Sequence, residues 1–216
     1  MSKAILLVVL LIVTAVLAGC GGSVAPSASA PAVDTQSGSV LVLSPTADAT
    51  LDQAQPAVNF GTAPTLREGY VLLPDNSSTV RRSLLRFDLS SLPANAVING
   101  ATLSLYQTGA SGGPFPYYVG VYRSTATWTE TGVTWASNST SYSTKFAQKP
   151  VSTATRGTWI TFNLLAAARS WHSTPSRNFG VMLVGADGGD YTGHVFASRE
   201  ATPVSHRPKL KITYSL

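Results

Sequence analysis

Short runs of alternating apolar and polar residues fill the sequence from Ser39 to the C-terminus. Three runs place an apolar residue at every second position: 101–107, 118–123 and 209–214. Because successive side chains of a strand point to opposite faces, this period predicts strands that are buried on one face. Three other runs are more continuously apolar and predict central strands of a sheet: 83–89, 158–164 and 179–185.

Turn-forming residues separate these runs, and one segment has a different pattern. Gly, Pro, Asn and Asp interrupt the chain at 74–76, 92–95, 112–114 and 187–190. Residues 164–172 are rich in alanine and lie between Asn163, a suitable N-cap, and Pro175, where a helix ends. Many short strands with one short helix predict an all-β fold, a two-sheet β-sandwich of the jelly-roll type.

The first nineteen residues have the pattern of an export signal. Lys3 supplies a positive charge, and the fifteen residues 4–18 that follow carry none. This run is shorter than the roughly 20 residues that a membrane-spanning helix needs, so a secretory signal is the better interpretation. The ending Leu17-Ala18-Gly19-Cys20 resembles the bacterial lipobox, which implies cleavage before Cys20 and a diacylglyceryl group on its thiol. The alternative is an ordinary cleaved signal followed by a chance cysteine.

This interpretation divides the chain into three parts. Residues 1–19 are the lipoprotein signal peptide, 20–38 a lipidated flexible linker, and 39–216 the folded domain. The linker is rich in small residues and proline and carries one charge, so it cannot bury a core. We therefore expect an exported protein that its acyl chains hold on the cell membrane or outer membrane, with the domain on the extracytoplasmic side.

Charge and cysteine content limit the kinds of ligand and of reactive site that the domain can have. The formal charge is +5, and removal of Lys3 with the signal leaves fourteen cations, ten of them arginine, against ten acids. Arginine suits recognition of carboxylates and phosphates, so an anionic partner is expected, and export argues for an acidic polysaccharide over nucleic acid. Cys20 is the one cysteine, so the domain has no disulfide, thiolate metal site or thiol nucleophile.

Several segments resemble one known family, in the same order along the chain. The clearest is RSLLRFDLSSLPANA at 82–96. The others are ADAT at 47–50, NFG at 59–61, INGATLSLY at 98–106, VYR at 121–123, WTETGVTW at 128–135, FASRE at 196–200 and RPKLKITY at 207–214. Together they resemble the DNRLRE domain, also classed as carbohydrate-binding module family 96. The resemblance implies a β-sandwich of bacterial and archaeal extracellular proteins, some of which bind anionic polysaccharides such as alginate.

Candidate ligand-binding residues follow from the expected acidic polysaccharide. Cations outside the apolar pattern can form charge-assisted hydrogen bonds with uronate carboxylates, and two tyrosines after a Gly-Pro loop can stack on a sugar ring. The candidates are Arg67, Arg81, Arg82, Arg123, Lys145 and Lys149, with Tyr117 and Tyr118. The hypothesis requires several of these cations to converge on one face. Lys209 and Lys211 share a strand face. They can contact the ligand, or they can be charges that protect an edge strand from aggregation.

Other polar and aromatic groups fit structural roles better than functional ones. Arg86 and Asp88 are expected to form a salt bridge or to cap a loop. Trp128 and Trp135 are expected to pack in the interior or against loops, because tryptophan buries a large area. The acidic pairs Asp48/Asp52 and Asp187/Asp190 fit plain turns better than a structural calcium site. We therefore expect no metal and no cofactor.

The histidines give no sign of catalysis. His172, His194 and His206 lie near no nucleophile elbow and have no second histidine at metal-binding spacing, so we do not expect an enzyme. The expected function is that of a membrane-anchored, non-catalytic module that binds extracellular, acidic polysaccharide. The alternative is a structural protein of the cell surface or envelope that mediates protein–protein contact, which predicts an exposed apolar patch or an open edge strand.

Overall fold

A computed structural model describes residues 38–113 and 115–216. The expected signal peptide, the lipidation site Cys20 and the linker as far as residue 37 lie outside the described residues. Within the described ranges, no helix has the length and the apolar character that crossing a membrane requires.

Antiparallel β-strands form most of the structure, which confirms the predicted all-β class. The strands are β1 (Ser39–Leu43), β2 (Ala47–Asp52), β3 (Thr65–Leu72), β4 (Ser78–Arg86), β5 (Val97–Ser111), β6 (Tyr117–Ser124), β7 (Tyr142–Val151), β8 (Trp159–Asn163), β9 (Val181–Val184), β10 (Thr192–Ala197) and β11 (Lys209–Ser215). In the described part of the chain, two α-helices accompany them: α1 (Trp135–Asn138) and α2 (Leu165–Ser173).

One continuous sheet curls over itself to give the two layers of the sandwich. Its hydrogen-bonded order is β1-β11-β5-β10-β3-β4-β9-β6-β7, with β2 on β4 and β8 on β5. Strand β5 turns the sheet, because its first part pairs with β11 and β8 whereas its last part pairs with β10. The register between β5 and β10 shifts at Val195/Phe196, so that Gln107 faces Phe196 and Gly109 faces Val195. This bulge turns the residues after Thr108 to the opposite face.

The main core lies inside the curl and contains the alternating residues that the sequence pattern predicts. Strands from both halves of the sheet contribute to it, and α2 closes one side with Ala167, Ala168 and Trp171. The strand contributions include Leu103, Leu105, Val119, Val121, Leu183, Phe196, Leu210 and Ile212. Residues that alternate with these point away from the main core, and we call that side the outer face.

A second cluster covers part of the outer face and explains two of the continuous apolar runs. Leu84 and Met182 belong to this cluster, whereas the neighbouring Leu85 and Leu183 belong to the main core. Strands β4 and β9 therefore bury both faces, as predicted for central strands. The same prediction is wrong for β8, in which Ile160 and Phe162 are buried and the three residues that alternate with them are exposed.

The predicted helix is present with almost the expected limits. Helix α2 runs from Leu165 to Ser173, and its N-cap is Leu164 and not the predicted Asn163, although Oδ1 of Asn163 accepts a hydrogen bond of 2.9 Å from the backbone N–H of Leu165. No pattern in the sequence indicated α1, a single turn that Thr134 caps. This turn helps to place Trp135 in the second cluster.

Candidate functional site

A row of glycines crosses the sheet where β4, β3, β10 and β5 meet. Gly69 of β3 pairs with Arg81 of β4 on one side and with Gly193 of β10 on the other. Arg67 lies two residues before Gly69 in β3. It pairs with Val195 of β10, which pairs in turn with Gly109 of β5. Because residues two apart in a strand share a face, the two arginines border a strip that has few side chains.

Two of these glycines are required by the local geometry. Gly69 has a φ of +108°, and a Cβ atom at this position would lie 2.2 Å from the carbonyl oxygen of Thr192. A Cβ atom on Gly193 would lie 2.4 Å from Cγ1 of Val71. Larger residues therefore cannot occupy these two positions without moving their neighbours, so part of the floor is main chain, beside Val71 and Val195.

Three guanidinium groups surround this floor. Arg67 is exposed, and its guanidinium has no hydrogen bond or ion pair to any residue in the described ranges. Arg81 donates from Nε to Oδ2 of Asp52 over 2.7 Å, which fixes the side chain and leaves both terminal nitrogens for a ligand. Arg156 donates from Nε to the carbonyl oxygen of Thr108 over 3.2 Å. We call the surface formed by Arg67, Arg81, Arg156 and the glycines 69, 109 and 193 the basic groove.

The basic groove has room for a chain-like ligand. One cavity of about 360 Å³ is lined by all three arginines, and a second of about 280 Å³ shares Arg67 and Arg81 with it. The second cavity continues past Asp52 and Phe60. Asp52 balances one of the three guanidinium charges, so the groove retains an excess of positive charge that favours an anionic ligand.

A buried acid–histidine pair lies on the core side of the groove floor. Glu68 and His194, next to Gly69 and Gly193, are fully or almost fully buried, and Oε1 of Glu68 lies 2.5 Å from Nδ1 of His194. Nε2 of His194 lies 3.1 Å from the carbonyl oxygen of Val151, which can only accept, so Nε2 carries a hydrogen. One further proton can lie on Nδ1 or on Oε1, and the pair has no net charge with the proton on either atom.

Burial governs the protonation of this pair. It raises the pKa of Glu68, and the contact with His194 offsets part of that effect. Oε2 of Glu68 is buried and has no hydrogen-bond partner among the described residues, which further disfavours the ionised carboxylate. The pair therefore adds no net negative charge beneath the arginines of the groove.

Comparison with known proteins assigns the chain to a family. The family model described as carbohydrate-binding module family 96 matches residues 39–214. The chain belongs to carbohydrate-binding module family 96. No curated protein matches the sequence. Carbohydrate binding is the property that defines such modules, and the basic groove is a surface of this family member that offers both space and free hydrogen-bond donors.

Four of the segments that resemble family 96 in sequence meet at a different place, where they form a structural junction. Arg199 Nη1 lies 2.6 Å from Oε2 of Glu130 and 3.4 Å from Oε1 of Glu200. Asp48 accepts from the backbone N–H of Arg199 over 2.8 Å, and Asn59 donates to the carbonyl oxygen of Glu130 over 2.8 Å. Four sequence segments are thus tied together by one arginine and its acids.

The surroundings of this junction shift the pKa of Asp48. Oxygen atoms of Asp48, Glu130 and Glu200 lie within 4.8 Å of one another, close enough to surround one cation, and here the positive charge comes from the Arg199 guanidinium. Burial, followed by the charges of Glu200 and Glu130, raises the pKa of Asp48 to about 8. The expectation that Asp48 and Asp52 form a turn is wrong, because both are buried within strand β2.

Arg82 is separated from the basic groove although it follows Arg81 directly. It is buried, and its Nη2 donates to Oδ2 of Asp187 over 2.7 Å. Its guanidinium carbon lies 5.2 Å from the ring centroid of Trp135 and 5.0 Å from that of Tyr142. Arg82 therefore holds the second apolar cluster to a loop and is not available to a ligand.

The other predicted cations and tyrosines lie on or next to β6 and β7, which the structure does not bring to the groove. Arg123 packs over the ring of Phe146 at 5.5 Å, and Lys145 donates to the side chain of Gln148. Lys149 lies opposite Val119 in the pairing of β6 with β7. The hydroxyl of Tyr117 donates to Oδ2 of Asp190 over 2.7 Å, whereas Tyr118 is 61% exposed. Of the eight predicted ligand-binding residues, the groove brings together Arg67 and Arg81.

Sequence reasoning missed Arg156, the third arginine of the groove. It follows a short 3-10 turn at Thr153–Thr155 and precedes β8, so neither periodicity nor the family resemblance marks it. Its position is set by the hydrogen bond to Thr108 and by the backbone N–H of Gly157, which donates to the carbonyl oxygen of Gln107 over 2.8 Å. The β5 bulge that creates these acceptors has no signal in the sequence.

A larger cavity of about 620 Å³ lies near α2, and its charged groups are already engaged. Arg86 donates to the carbonyl oxygen of Trp128 over 3.1 Å and packs over the indole ring of that residue. Asp88 accepts from the backbone N–H of Ser90 over 2.9 Å, which lowers the pKa of its carboxyl. Asp88 thus caps the turn that follows it, a structural role of the predicted kind.

Proposed function

We propose that this family 96 module binds an acidic extracellular polysaccharide in the basic groove and has no catalytic role. One observation carries the proposal. Arg67, Arg81 and Arg156 present unpaired terminal guanidinium nitrogens around a floor in which Gly69 and Gly193 carry no side chains, so that a carboxylate-bearing chain can approach the backbone there. Guanidinium groups bind carboxylates through two parallel hydrogen bonds, and uronic acids carry one carboxylate on each sugar.

Placement at a membrane is part of the proposal and rests on the sequence. Lipidation of Cys20 would tether many copies of the domain to one surface. Weak binding by each groove would then add up, because a polymer that binds one copy is held at high local concentration near the next. Replacement of Cys20 by serine should move the protein from the membrane fraction to the soluble fraction, and unchanged membrane association would contradict the anchor.

The function can be tested by affinity electrophoresis of the full chain in native gels. Gels containing alginate, polygalacturonate or a neutral glucan are compared with gels containing no polymer. We expect retardation by the two acidic polymers and weaker retardation as the salt concentration rises, because salt screens exposed charges. Equal retardation by the neutral glucan, or no retardation by any acidic polymer, would contradict the proposal.

A second candidate function rests on strand β1. Val40 and Val42 are each 56% exposed, and within the described ranges β1 pairs with β11 alone. An apolar edge strand is a suitable surface for contact with another protein. Light scattering of the full chain and of a Val40→Thr/Val42→Lys variant would test this candidate, which requires the wild type to associate and the variant to do so less.

A further inference from the structure

Next to the basic groove, a second group of side chains occupies the outer face of β5, β8 and β11. Tyr106 and Trp159 are paired residues of β5 and β8, and their rings make an edge-to-face contact at 5.4 Å. The ring of His206 stacks on Tyr106 at 3.7 Å. Lys209 Nζ lies 5.0 Å from the centroid of Trp159. We call the surface formed by Tyr106, Trp159, His206 and Lys209 the aromatic shelf.

The alternation of each strand fixes the shelf on the outer face. Ile160 and Phe162 of β8 enter the main core, so Trp159 points the other way. Leu105 and Leu210 also lie in the main core, so the adjacent residues Tyr106 and Lys209 point to the outer face. Trp159 is 37% exposed, although burial of its indole ring would be favourable.

Packing of the shelf onto itself makes it rigid before any ligand arrives. His206 covers one face of Tyr106, and Trp159 contacts the edge of the same ring. The surface that remains is an indole with the Lys209 ammonium group over one side of its ring, a combination that can stack on the apolar face of a pyranose ring and pair with a carboxylate on that ring.

The shelf and the basic groove are joined along β5. Tyr106 and Gly109 are three residues apart in this strand, about 10 Å at 3.3 Å per residue. Arg156 bridges the interval, since its Nε donates to the carbonyl oxygen of Thr108 and β8 begins three residues later with Trp159. A chain that leaves the groove past Arg156 therefore meets the indole of Trp159 next.

We propose that the aromatic shelf is a second subsite for the same acidic polysaccharide, in which Trp159 stacks on one uronate ring and Lys209 pairs with its carboxylate. This inference rests on the proposed function of the basic groove. The inference predicts that the ligand binds as an extended chain along β5. The affinity should therefore rise when an oligosaccharide becomes long enough to reach from Arg67 to Trp159.

The test uses titration calorimetry of the full chain with oligogalacturonates from dimer to octamer. We expect the affinity of the wild type to increase with length, and Trp159→Ala to lower the affinity for the octamer about five- to tenfold, the range that one aromatic contact provides. The same variant should bind the dimer as the wild type does. Tyr118→Ala removes a more exposed aromatic residue from β6 and should leave both affinities unchanged.

Direct occupancy of the shelf is tested by tryptophan fluorescence. Trp128 and Trp171 are buried and Trp135 is half-buried beneath Arg82, so Trp159 should give most of the quenching by acrylamide, and the octamer should protect it. Lys209→Ala should lower octamer affinity without loss of thermal stability, which separates binding from folding.

Two outcomes distinguish the shelf from the groove. Octamer affinity of Trp159→Ala equal to that of the wild type, with unprotected fluorescence, would overturn the shelf while leaving the groove intact. No binding of any oligomer by the wild type would instead refute the proposed function itself.

Discussion

Nδ1 of His194 lies 2.5 Å from Oε1 of Glu68, directly beneath the glycine floor of the basic groove. Both residues are neighbours of the floor glycines in sequence, and alternation turns their side chains toward the core. A buried carboxyl is costly unless it is paired and hydrogen-bonded. The His194 contact satisfies that requirement and thereby supports the backbone on which the ligand is proposed to lie.

Removal of His194 should therefore destabilise the fold strongly. His194→Ala leaves the Glu68 carboxyl buried without its partner, and loss of one member of a buried pair costs about 3–5 kcal/mol. Glu68→Gln keeps a hydrogen-bonding side chain of similar size and should cost less. The free energy of unfolding in urea measures both changes, and His172→Ala at the end of α2 is the control. A loss for His194→Ala no larger than that for the control would contradict the assigned role.

Gly69 should not tolerate alanine. Its positive φ alone costs a non-glycine residue about 1–3 kcal/mol, and the added Cβ would collide with the carbonyl oxygen of Thr192. Gly188→Ala is a matched control, because no atom lies within 4 Å of its Cβ position. Thermal unfolding of the two variants should show a lower midpoint for Gly69→Ala alone. Equal midpoints would mean that the floor does not require glycine.

Stability should depend on pH through Asp48. Its pKa is raised from 3.8 to about 8 in the folded protein, so between these values the folded state binds more protons than the unfolded state. Stability contributed by the neutral carboxyl is therefore greatest at low pH and decreases as the pH rises toward 8. Asp48→Asn keeps an acceptor for the Arg199 N–H and removes this titration.

Urea unfolding at several pH values between 4 and 8 isolates the effect of Asp48. Other groups titrate in both proteins, so the informative quantity is the difference in unfolding free energy between the wild type and Asp48→Asn. We expect that difference to change in favour of the Asp48→Asn variant as the pH rises. A difference that stays constant with pH would show that Asp48 is ionised in the folded state.

Local patterns were sufficient to predict most of the fold. Leu103 and Leu105 alternate with polar residues and lie in the main core, and helix α2 begins one residue after its predicted start. The segments that resemble family 96 predicted the sandwich correctly, and the contact of Glu130 with Arg199 ties two of them together. What local patterns did not contain was the curl of the sheet, which depends on the pairing of distant strands and on the β5 bulge.

The candidate site was predictable only in part, for a related reason. Adjacent strand residues point to opposite faces, so alternation already implied that Arg81 and Arg82 could not serve one surface. Trp159 carried a similar signal, since it alternates with the apolar Ile160 and Phe162. Arg67 and Arg156 come together only through the register of β3, β10 and β5. No short segment of sequence encodes that register.

The most direct test of the account compares two double variants that lose the same charge. Arg67→Ala/Arg156→Ala removes two groove arginines and spares Arg81, whose loss would leave the buried Asp52 unpaired. Lys145→Ala/Arg177→Ala removes two exposed cations outside the groove. Titration of each protein with polygalacturonate at low and at moderate salt gives the affinities. Charge-assisted hydrogen bonds contribute about 1.5 kcal/mol or more each, so each lost arginine should cost about tenfold.

We predict that the groove variant loses about a hundredfold in affinity for polygalacturonate, the product of two such losses, and most of its salt dependence. The Lys145/Arg177 variant should remain close to the wild type. Equal losses in the two variants would mean that net charge attracts the polymer without a defined site. Wild-type affinity in the groove variant would contradict the central claim.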